Sequence, residues 1–311
     1  MSDVKKLLRS QVSQLWIPAQ PHTLWGLTVF PIYRRVSWNP FRRQTVAYAP
    51  LAEGLEKSDV TVGEMPSAHV PELLVTNKGR VILLAIDGDE VVGGHQNRIF
   101  NASVLIGKGE TRVPVSCVER GRWDGSRAAF KSGERLPHGA RSKSHGHVHE
   151  NLSHRKSYAS DQGEVWRDVE SGHSKHGVHS RTHSMHDFYD AQRGKLKAFE
   201  EAIPYPRNAV GMIVAIGGRI VACDVFDQAK TAEHYWPRLI RACAAEALDA
   251  EHKVPEASAE SLLQELWKCQ AEVFDSAGLG QDVRLKSKSV RGSALVHQDV
   301  IVHMSLFAEV N

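Results

Sequence analysis

Short apolar runs that end at glycine-containing turns are typical of β-strands, and they occur in two parts of the chain. In residues 72–86, ELLVTNKGRVILLAI, two such runs flank Asn77-Lys78-Gly79, a turn signal that predicts a β-hairpin. The runs RIFNASVLI and TRVPVSCV continue this sheet. Residues 211–226, GMIVAIGGRIVACDVF, predict a second hairpin that turns at Gly217-Gly218.

Apolar residues recur every three to four positions in other segments, which indicates amphipathic helices. This spacing is found in the first 15 residues, in KLKAFEEAI, around Trp236 and in SAESLLQELWKCQAEVF. Pro237 is expected in the first turn of its helix, and the C-terminal residues 282–307 are expected to form two antiparallel strands. Because strands and helices are segregated, residues 1–311 are expected to form a single α+β domain with antiparallel-rich sheets and several packed helices.

The segment of residues 125–193 differs from the rest of the chain in composition. It is rich in Ser, Gly, Arg and His, and it holds ten of the 17 histidines, between His138 and His186. Few of its side chains are large and apolar, so it would bury little surface to offset its ordering entropy. We therefore expect a long, irregular and partly mobile insertion, in which only GEVWRDVE, around Trp166, would pack.

Composition and charge narrow the classes of protein. With 41% hydrophobic and 24% charged residues, the chain is typical of a globular protein, and no run approaches the roughly 20 apolar residues of a membrane span. The N-terminal helix lacks the unbroken apolar core of a signal peptide, so we expect a cytoplasmic location and no membrane contact. A formal charge of +3 does not indicate nucleic-acid binding. The four cysteines are widely spaced, which argues against a disulfide framework or a zinc knuckle.

The stretch DGDEVVGGHQNRIFNASV is the strongest candidate for a functional site. Gly93 and Gly94 permit unusual backbone conformations and let a ligand or another strand approach closely. Gln96, Asn97 and Arg98 then offer amide groups and a guanidinium suited to a carboxylate, a phosphate or ribose hydroxyls. On a strand, Arg98 would share a face with Gln96 while Asn97 points oppositely. The alternative is that these side chains tie a turn to neighbouring loops by buried hydrogen bonds.

Further candidate residues lie at the ends of predicted strands or turns. Three carboxylates could act as a catalytic acid or base, although most such groups are solvated or paired with an arginine: Glu64, Glu90 and Glu119. Glu119, Arg122 and Trp123, near the end of VPVSCVERGRW, are expected at the rim of a pocket. Cys117 in the same run invites a nucleophile hypothesis, but its Cys-x4-Arg spacing and flanking valines favour an inert buried thiol.

The histidines suggest a metal site, for which the sequence also offers a simpler interpretation. His145, His147 and His149 would share a face in an extended chain, and five histidines from His173 to His186 recur at helical spacing. An exposed loop with adventitious metal affinity explains both patterns, so no metal ligand and no cofactor is assigned. The dinucleotide-binding, P-loop, G-x-S-x-G and H-E-x-x-H motifs are absent.

Four runs, DGDEVVGGHQNRIFNASVLI, VPVSCVERGRW, QGEVWRDV and AEHYWPRLIRACAAEAL, resemble a bacterial family of largely uncharacterised proteins, the ADP-ribosylglycohydrolase- and rhodanese-phosphatase-associated domain. The resemblance extends from about His22 to Phe307, and the histidine-rich run between Gln162 and Tyr189 departs from it. It implies a connection to NAD and ADP-ribose metabolism through genomic association, without an assigned activity or catalytic residues. It favours the Gln96-Asn97-Arg98 corner over the histidines as the place to look.

Two main hypotheses of function follow. In the first, the chain binds, with or without hydrolysis, an ADP-ribose-like or other anionic nucleotide metabolite. Arg98 or Arg122 would hold the anion, Gln96 and Asn97 would read hydroxyls or a base edge, and a carboxylate would activate water. In the second, the chain is a non-enzymatic assembly or interaction module, compatible with a homo-oligomer, whose polar corner is structural. A metal-dependent hydrolase that uses histidines 145 to 186 is a third alternative.

Overall fold

The computed structural model describes residues 2–35, 45–65, 71–123, 127–255 and 257–309. The helices are α1 (Ser2–Val12), α2 (Leu51–Glu56), α3 (His138–Arg155), α4 (Gln162–Lys175), α5 (Met185–Ala202), α6 (Ala229–Ala247) and α7 (Glu260–Glu265). The strands are β1 (Leu15–Trp16), β2 (His22–Leu24), β3 (Leu27–Arg34), β4 (Tyr48–Pro50), β5 (Val60–Glu64), β6 (Glu72–Asn77), β7 (Ile82–Ala85), β8 (Asp89–Gly94), β9 (Arg98–Phe100), β10 (Val104–Ile106), β11 (Gly109–Cys117), β12 (Arg127–Arg135), β13 (Gly211–Ile216), β14 (Arg219–Phe226), β15 (Gln270–Asp275), β16 (Gln281–Lys286), β17 (Val290–His297) and β18 (Val300–Ala308). These elements confirm the predicted α+β class with antiparallel-rich sheets.

The chain divides into two compact units that interleave in sequence. The first unit holds Met1–Val46, Lys197–Ser276 and Gly280–Asn311, and the second holds Ala47–Leu196 and Ala277–Leu279. Each unit has its own cluster of buried apolar side chains. Among the described residues, no helix is both long enough and apolar enough to cross a membrane.

The first unit is built on an antiparallel sheet with the strand order β1-β3-β13-β14-β18-β17-β16-β15, in which β2 also pairs with β3. Helices α1 and α7 pack apolar side chains on one face of this sheet. On the other face, Tyr235 of α6 stacks on Phe226 of β14 with ring centroids 5.4 Å apart. The predicted hairpin β13-β14 is confirmed, and Gly217 and Gly218 take positive φ angles of 56° and 78° in its turn.

Three predictions for the first unit are wrong in detail. Pro237 lies inside α6 and not in its first turn, because the helix begins at Ala229. Helix α7 ends at Glu265, and Gln270–Asp275 is a strand, since its apolar residues alternate and pair with β16. The C-terminal segment holds the three strands β16, β17 and β18 in place of two.

The second unit contains a six-stranded sheet in the order β12-β8-β9-β11-β6-β5 and a small sheet in the order β10-β7-β4. The hairpin predicted for residues 72–86 is wrong, because β6 pairs with β5 and β11 while β7 pairs with β10 and β4. The turn signal itself is real, since the amide of Gly79 donates to Asn77 Oδ1 at 2.9 Å. The chain uses this turn to pass from one sheet to the other.

The irregular conformation expected for residues 125–193 is also wrong. This segment forms β12, α3, α4 and the first half of α5. Polar side chains take core-facing positions: His145 and His149 are buried in α3, and Arg141 donates to both carboxylate oxygens of the buried Asp87 at 2.8 and 3.1 Å. Buried ion pairs and histidines therefore do part of the packing that composition alone assigns to large apolar residues.

Candidate functional site

Strand register divides the candidate residues between the two faces of the six-stranded sheet. Arg98 on β9 lies opposite Cys117 on β11 and Val91 on β8, whereas Glu90 lies opposite Ile99. Because successive side chains alternate between faces, Arg98 and Cys117 project to the face that carries Val91, and Glu90 projects to the other face. Glu90 and Arg98 therefore do not line one pocket.

The expected split of Gln96, Asn97 and Arg98 is borne out by their hydrogen bonds. Gln96 Oε1 accepts from Arg98 Nη1 at 3.1 Å, so these two side chains meet on the same side. Asn97 Nδ2 donates instead to Ser184 Oγ at 3.2 Å. All three side chains are buried.

The double glycine makes room for a neighbouring strand. A Cβ atom at Gly93, where φ is 150°, would lie 2.5 Å from the carbonyl oxygen of Ala129 on β12. A Cβ atom at Gly94, where φ is 50°, would meet the Phe130 ring and the Glu64 carboxylate. From the sequence, these glycines were expected to make room either for a ligand or for another strand. In the structure, β12 and its side chains occupy the space beside them.

Asn97, Glu119 and Arg122 form a buried network in which each charged group has a partner. Glu119 Oε2 accepts from Arg122 Nη2 at 2.8 Å and from the backbone amide of Asn97 at 3.1 Å. Arg122 also donates to the carbonyl oxygens of Gly94 at 2.6 Å and Gly93 at 3.1 Å. Burial alone would raise the pKa of Glu119. The hydrogen bonds that its carboxylate accepts from Arg122, Thr182 and the Asn97 backbone outweigh burial and hold that pKa below its usual value. This network has the bonding of a structural clamp.

Arg98 is the centre of the second group and is fully buried. Its Nη1 donates to Gln96 Oε1 and, at 2.5 Å, to Cys117 Sγ, while Nη2 lies 3.8 Å from Glu64 Oε2. Nε and Nη2 have no hydrogen-bond partner among the residues that the structure describes. A buried guanidinium with two unbonded nitrogens is uncommon, because each unmade hydrogen bond costs free energy.

This group reaches the surface through an aromatic pair. The rings of His95 and Trp123 stack with centroids 5.0 Å apart, and Trp123 is 53% exposed. The Trp123 ring lies 6.0 Å from Arg98 Cζ, and the His95 amide donates to Glu64 Oε1 at 3.1 Å. We call the set the Arg98 cluster; its members are Glu64, His95, Gln96, Arg98, Cys117 and Trp123.

Cys117 behaves as the inert thiol that the sequence favoured. Its side chain is buried and contacts Gln96 Oε1 at 2.6 Å. Burial raises the pKa of the Cys117 thiol to about 11, against the opposing effect of Arg98. Little thiolate is therefore present near neutral pH, and the thiol is a poor nucleophile.

Glu90 lies on the opposite face of the sheet, with a histidine that the sequence did not assign to it. Its Oε2 accepts from the Glu134 amide at 3.0 Å and lies 3.1 Å from His186 Nδ1. Burial raises the pKa of Glu90, although both hydrogen bonds oppose that change. The hydrogen bond to Glu90 in turn raises the pKa of His186. No local sequence pattern links these two residues, because they lie 96 positions apart.

The histidines do not form the metal clamp suggested by their alternation. His145, His147 and His149 lie on helix α3, where alternate residues do not share a face. Within the described part of the chain, no group of three or more His, Cys, Asp or Glu side chains is arranged to hold a metal ion.

Comparison with known proteins identifies one family. A family model described as the ARG and Rhodanese-Phosphatase-superfamily-associated Protein domain matches residues 18–307, and this range includes all the candidate residues. No curated protein and no solved structure matches the chain.

Proposed function

We propose a function for this chain, which belongs to the ARG and Rhodanese-Phosphatase-superfamily-associated Protein domain family, from its Arg98 cluster. In this proposal the chain binds an anionic nucleotide metabolite of the ADP-ribose type in the cytoplasm. The observation that carries the proposal is the fully buried guanidinium of Arg98, whose Nε and Nη2 have no hydrogen-bond partner among the described residues. Phosphate and carboxylate oxygens are the acceptors that match such a pair of nitrogens.

The aromatic pair at the surface supports a ligand that carries a planar ring. Trp123 is 53% exposed and stacks on His95, so the exposed part of its ring offers a platform for a nucleobase. Arg98 Cζ lies 6.0 Å from the same ring. In this proposal a base would stack on Trp123, and a phosphate would reach Arg98 once the side chains that bury it move aside, because Arg98 itself has no exposed surface.

Glu64 is the carboxylate that would activate water if binding is followed by hydrolysis. It lies 3.8 Å from Arg98, which is too far for a hydrogen bond, so its ion pair with the guanidinium is loose. The same negative charge opposes an incoming anion. Replacing it by an amide is therefore expected to strengthen anion binding and to abolish any hydrolysis.

Calorimetric titration of the parent protein with ADP-ribose and with NAD tests the proposal. Binding of at least one ligand is expected, and Trp123→Leu should weaken it more than tenfold because the stacking surface is lost. Trp16→Leu is the matched control, since Trp16 is 42% exposed and stacks on Tyr33 in the other unit. Glu64→Gln should tighten binding severalfold.

Absence of heat from either ligand in the parent protein would contradict the proposal, and so would equal affinity in the parent and Trp123→Leu. Arg98→Lys keeps the charge but loses the guanidinium fork, so a folded Arg98→Lys variant with parental affinity would count equally against it.

The assembly module remains the second candidate, and a specific observation favours it. Asn97, Glu119 and Arg122 are buried and hydrogen-bonded to one another, as expected of residues with a structural role. Light scattering of the parent protein distinguishes the two candidates. A stable oligomer that binds neither ligand would favour assembly over metabolite binding.

A further inference from the structure

A basic groove lies along the exposed side of α1, in the first unit. It has a volume of about 590 Å³ and is lined by Lys6, Arg9, Ser10 and Ser13 of the N-terminal segment and by Trp267, in the short turn after α7. All five residues belong to the first unit, whereas the Arg98 cluster belongs to the second. We call this feature the α1 groove.

The helix that forms the groove is anchored to the body of its unit. Leu8 and Val12 of α1 are buried in the apolar core. Gln11 Nε2 donates to the carbonyl oxygen of Asp299 at 2.9 Å, and Gln11 Oε1 accepts from the amide of Ile301 at 3.2 Å. Because its inner face is held in this way, α1 presents its basic face at a defined position.

The two cations of the groove are available to a partner. Lys6 and Arg9 are exposed, are neighbours on the helix surface, and have no ion-pair partner among the described residues. Glu265, at the end of α7, is already bonded to Lys268 Nζ at 2.6 Å and to Ser289 Oγ at 2.8 Å. The groove therefore carries positive charge that is complementary to an anionic partner.

The two serines distinguish between classes of anionic partner. Ser10 Oγ donates to the carbonyl oxygen of Leu7 at 2.9 Å, and Ser13 Oγ donates to that of Ser10 at 3.2 Å. Because each hydroxyl has a single hydrogen, both present only acceptor lone pairs to the groove. A peptide offers amide donors for these oxygens as well as carboxylates for the cations, whereas the phosphates of a nucleic acid or a lipid offer only acceptors.

Trp267 supplies the apolar part of the groove. It is 39% exposed, and it also lines a crevice of only about 10 Å³ together with Leu266, Cys269 and Leu285. That crevice has room for about one water molecule, so an apolar side chain of a partner would lie on the exposed ring rather than beneath it. Tryptophan and arginine together are typical of the anchor positions of protein interfaces.

We propose that the α1 groove binds an acidic peptide segment of a partner protein, with carboxylates on Lys6 and Arg9 and an apolar side chain on Trp267. Alternate side chains of an extended segment lie about 6–7 Å apart, which is close to the spacing of about 5–6 Å between helix neighbours such as Lys6 and Arg9. The expected motif is therefore two Asp or Glu residues separated by one residue and followed or preceded by a large apolar residue. This site is independent of the function proposed for the Arg98 cluster, because it lies wholly in the first unit.

Selection from a random heptapeptide library on the parent protein identifies the preferred sequence. A parallel selection on the double variant Lys6→Glu, Arg9→Glu removes peptides that bind elsewhere. Enrichment of acidic peptides with a large apolar residue is expected on the parent alone. Enrichment of the same peptides by both proteins, of peptides without Asp or Glu, or of no peptide at all would overturn the proposal.

A charge swap then separates direct contact from an indirect structural effect. In titrations of the enriched peptide followed by fluorescence anisotropy, Arg9→Glu should weaken binding about fivefold or more, because an attraction becomes a repulsion. A peptide with Lys in place of the contacting carboxylate should restore binding to Arg9→Glu. Arg219→Glu is the matched control, since Arg219 is an exposed arginine of the same unit outside the groove, and it should keep parental affinity. Equal losses in the two variants, or no rescue by the Lys peptide, would overturn the proposal.

Trp267→Leu tests the apolar contact, with Trp16→Leu as its control because Trp16 is 42% exposed in the same unit. Trp267→Leu should weaken peptide binding by roughly tenfold or more, and Trp16→Leu should leave it unchanged. Equal affinity in the parent and a folded Trp267→Leu variant would count against the proposal.

Two measurements on the parent protein address other occupants of the α1 groove. Titration with a single-stranded oligouridylate of about ten nucleotides, at about 0.15 M salt, tests for nucleic acid. Tighter binding of this oligonucleotide than of the enriched peptide would overturn the proposal. So would a dimer in light scattering that the double variant Lys6→Glu, Arg9→Glu abolishes, because the occupant would then be a second copy of the chain.

Discussion

Burial and bonding of single residues decide which polar groups can serve a ligand and which hold the fold. Arg122 is the clearest member of the second class, because it pairs with Glu119 and donates to two carbonyl oxygens. Arg122→Met would leave the buried Glu119 carboxylate without its cation. We expect a loss of about 3–5 kcal/mol in the free energy of unfolding. Urea denaturation followed by circular dichroism measures it.

Arg120 provides the control for this substitution. It is exposed, and its guanidinium lies 5.3 Å from the centroid of the Trp166 ring. An exposed cation–π contact is worth about 0.5–1 kcal/mol, so Arg120→Met should have a small effect. Similar losses in the two variants would show that the Glu119 network is not the structural clamp its bonding indicates.

Residue types could be read from the sequence, whereas their environments could not. The polar corner at Gln96, Asn97 and Arg98 was recognised, and the alternation of strand side chains correctly separated Asn97 from the other two. The partner of Glu90 was missed because His186 is distant in the chain and belongs to a run of similar histidines. Which polar side chains become buried depends on tertiary contacts of this kind.

Among the elements, the contact between β8 and β12 depends on Gly93. Its φ of 150° suits glycine, and a Cβ atom there would lie 2.5 Å from the backbone of β12. Gly93→Ala should therefore force these strands apart and cost at least about 2 kcal/mol of stability. Gly63→Ala is the matched control in β5, where a Cβ atom would meet nothing within 4 Å. Thermal unfolding of both variants measures this difference in stability. Equal melting temperatures would show that the contact between β8 and β12 does not depend on Gly93.

Element prediction succeeded where local pattern and tertiary packing agree. The β13-β14 hairpin and the buried stripe of α6 were readable because one period and one turn signal describe them. Residues 72–86 have an equally clear pattern, yet β6 and β7 join different sheets, and a turn signal does not specify pairing partners. Helix α3 was missed because its buried face includes histidines and Arg141, which composition assigns to the surface.

For the whole molecule, the order of segments along the chain differs from their grouping in space. The second unit is formed mainly by residues 47–196, between segments that build the first unit. Hydrophobic periodicity reports local elements and carries no mark of such an insertion. The sequence therefore indicated one α+β domain.

The two apolar cores predict separate responses to core substitutions. Leu73 belongs to the core of the second unit and Ile213 to that of the first, both side chains are fully buried, and the two clusters share no member. Leu73→Ala and Ile213→Ala should each cost about 2–5 kcal/mol through lost burial and the cavity left behind. In native-state hydrogen exchange, Leu73→Ala should weaken protection in β6, β9 and β11, and Ile213→Ala in β13 and β14. Loss of protection across both units in either variant would instead support the single cooperative domain expected from the sequence.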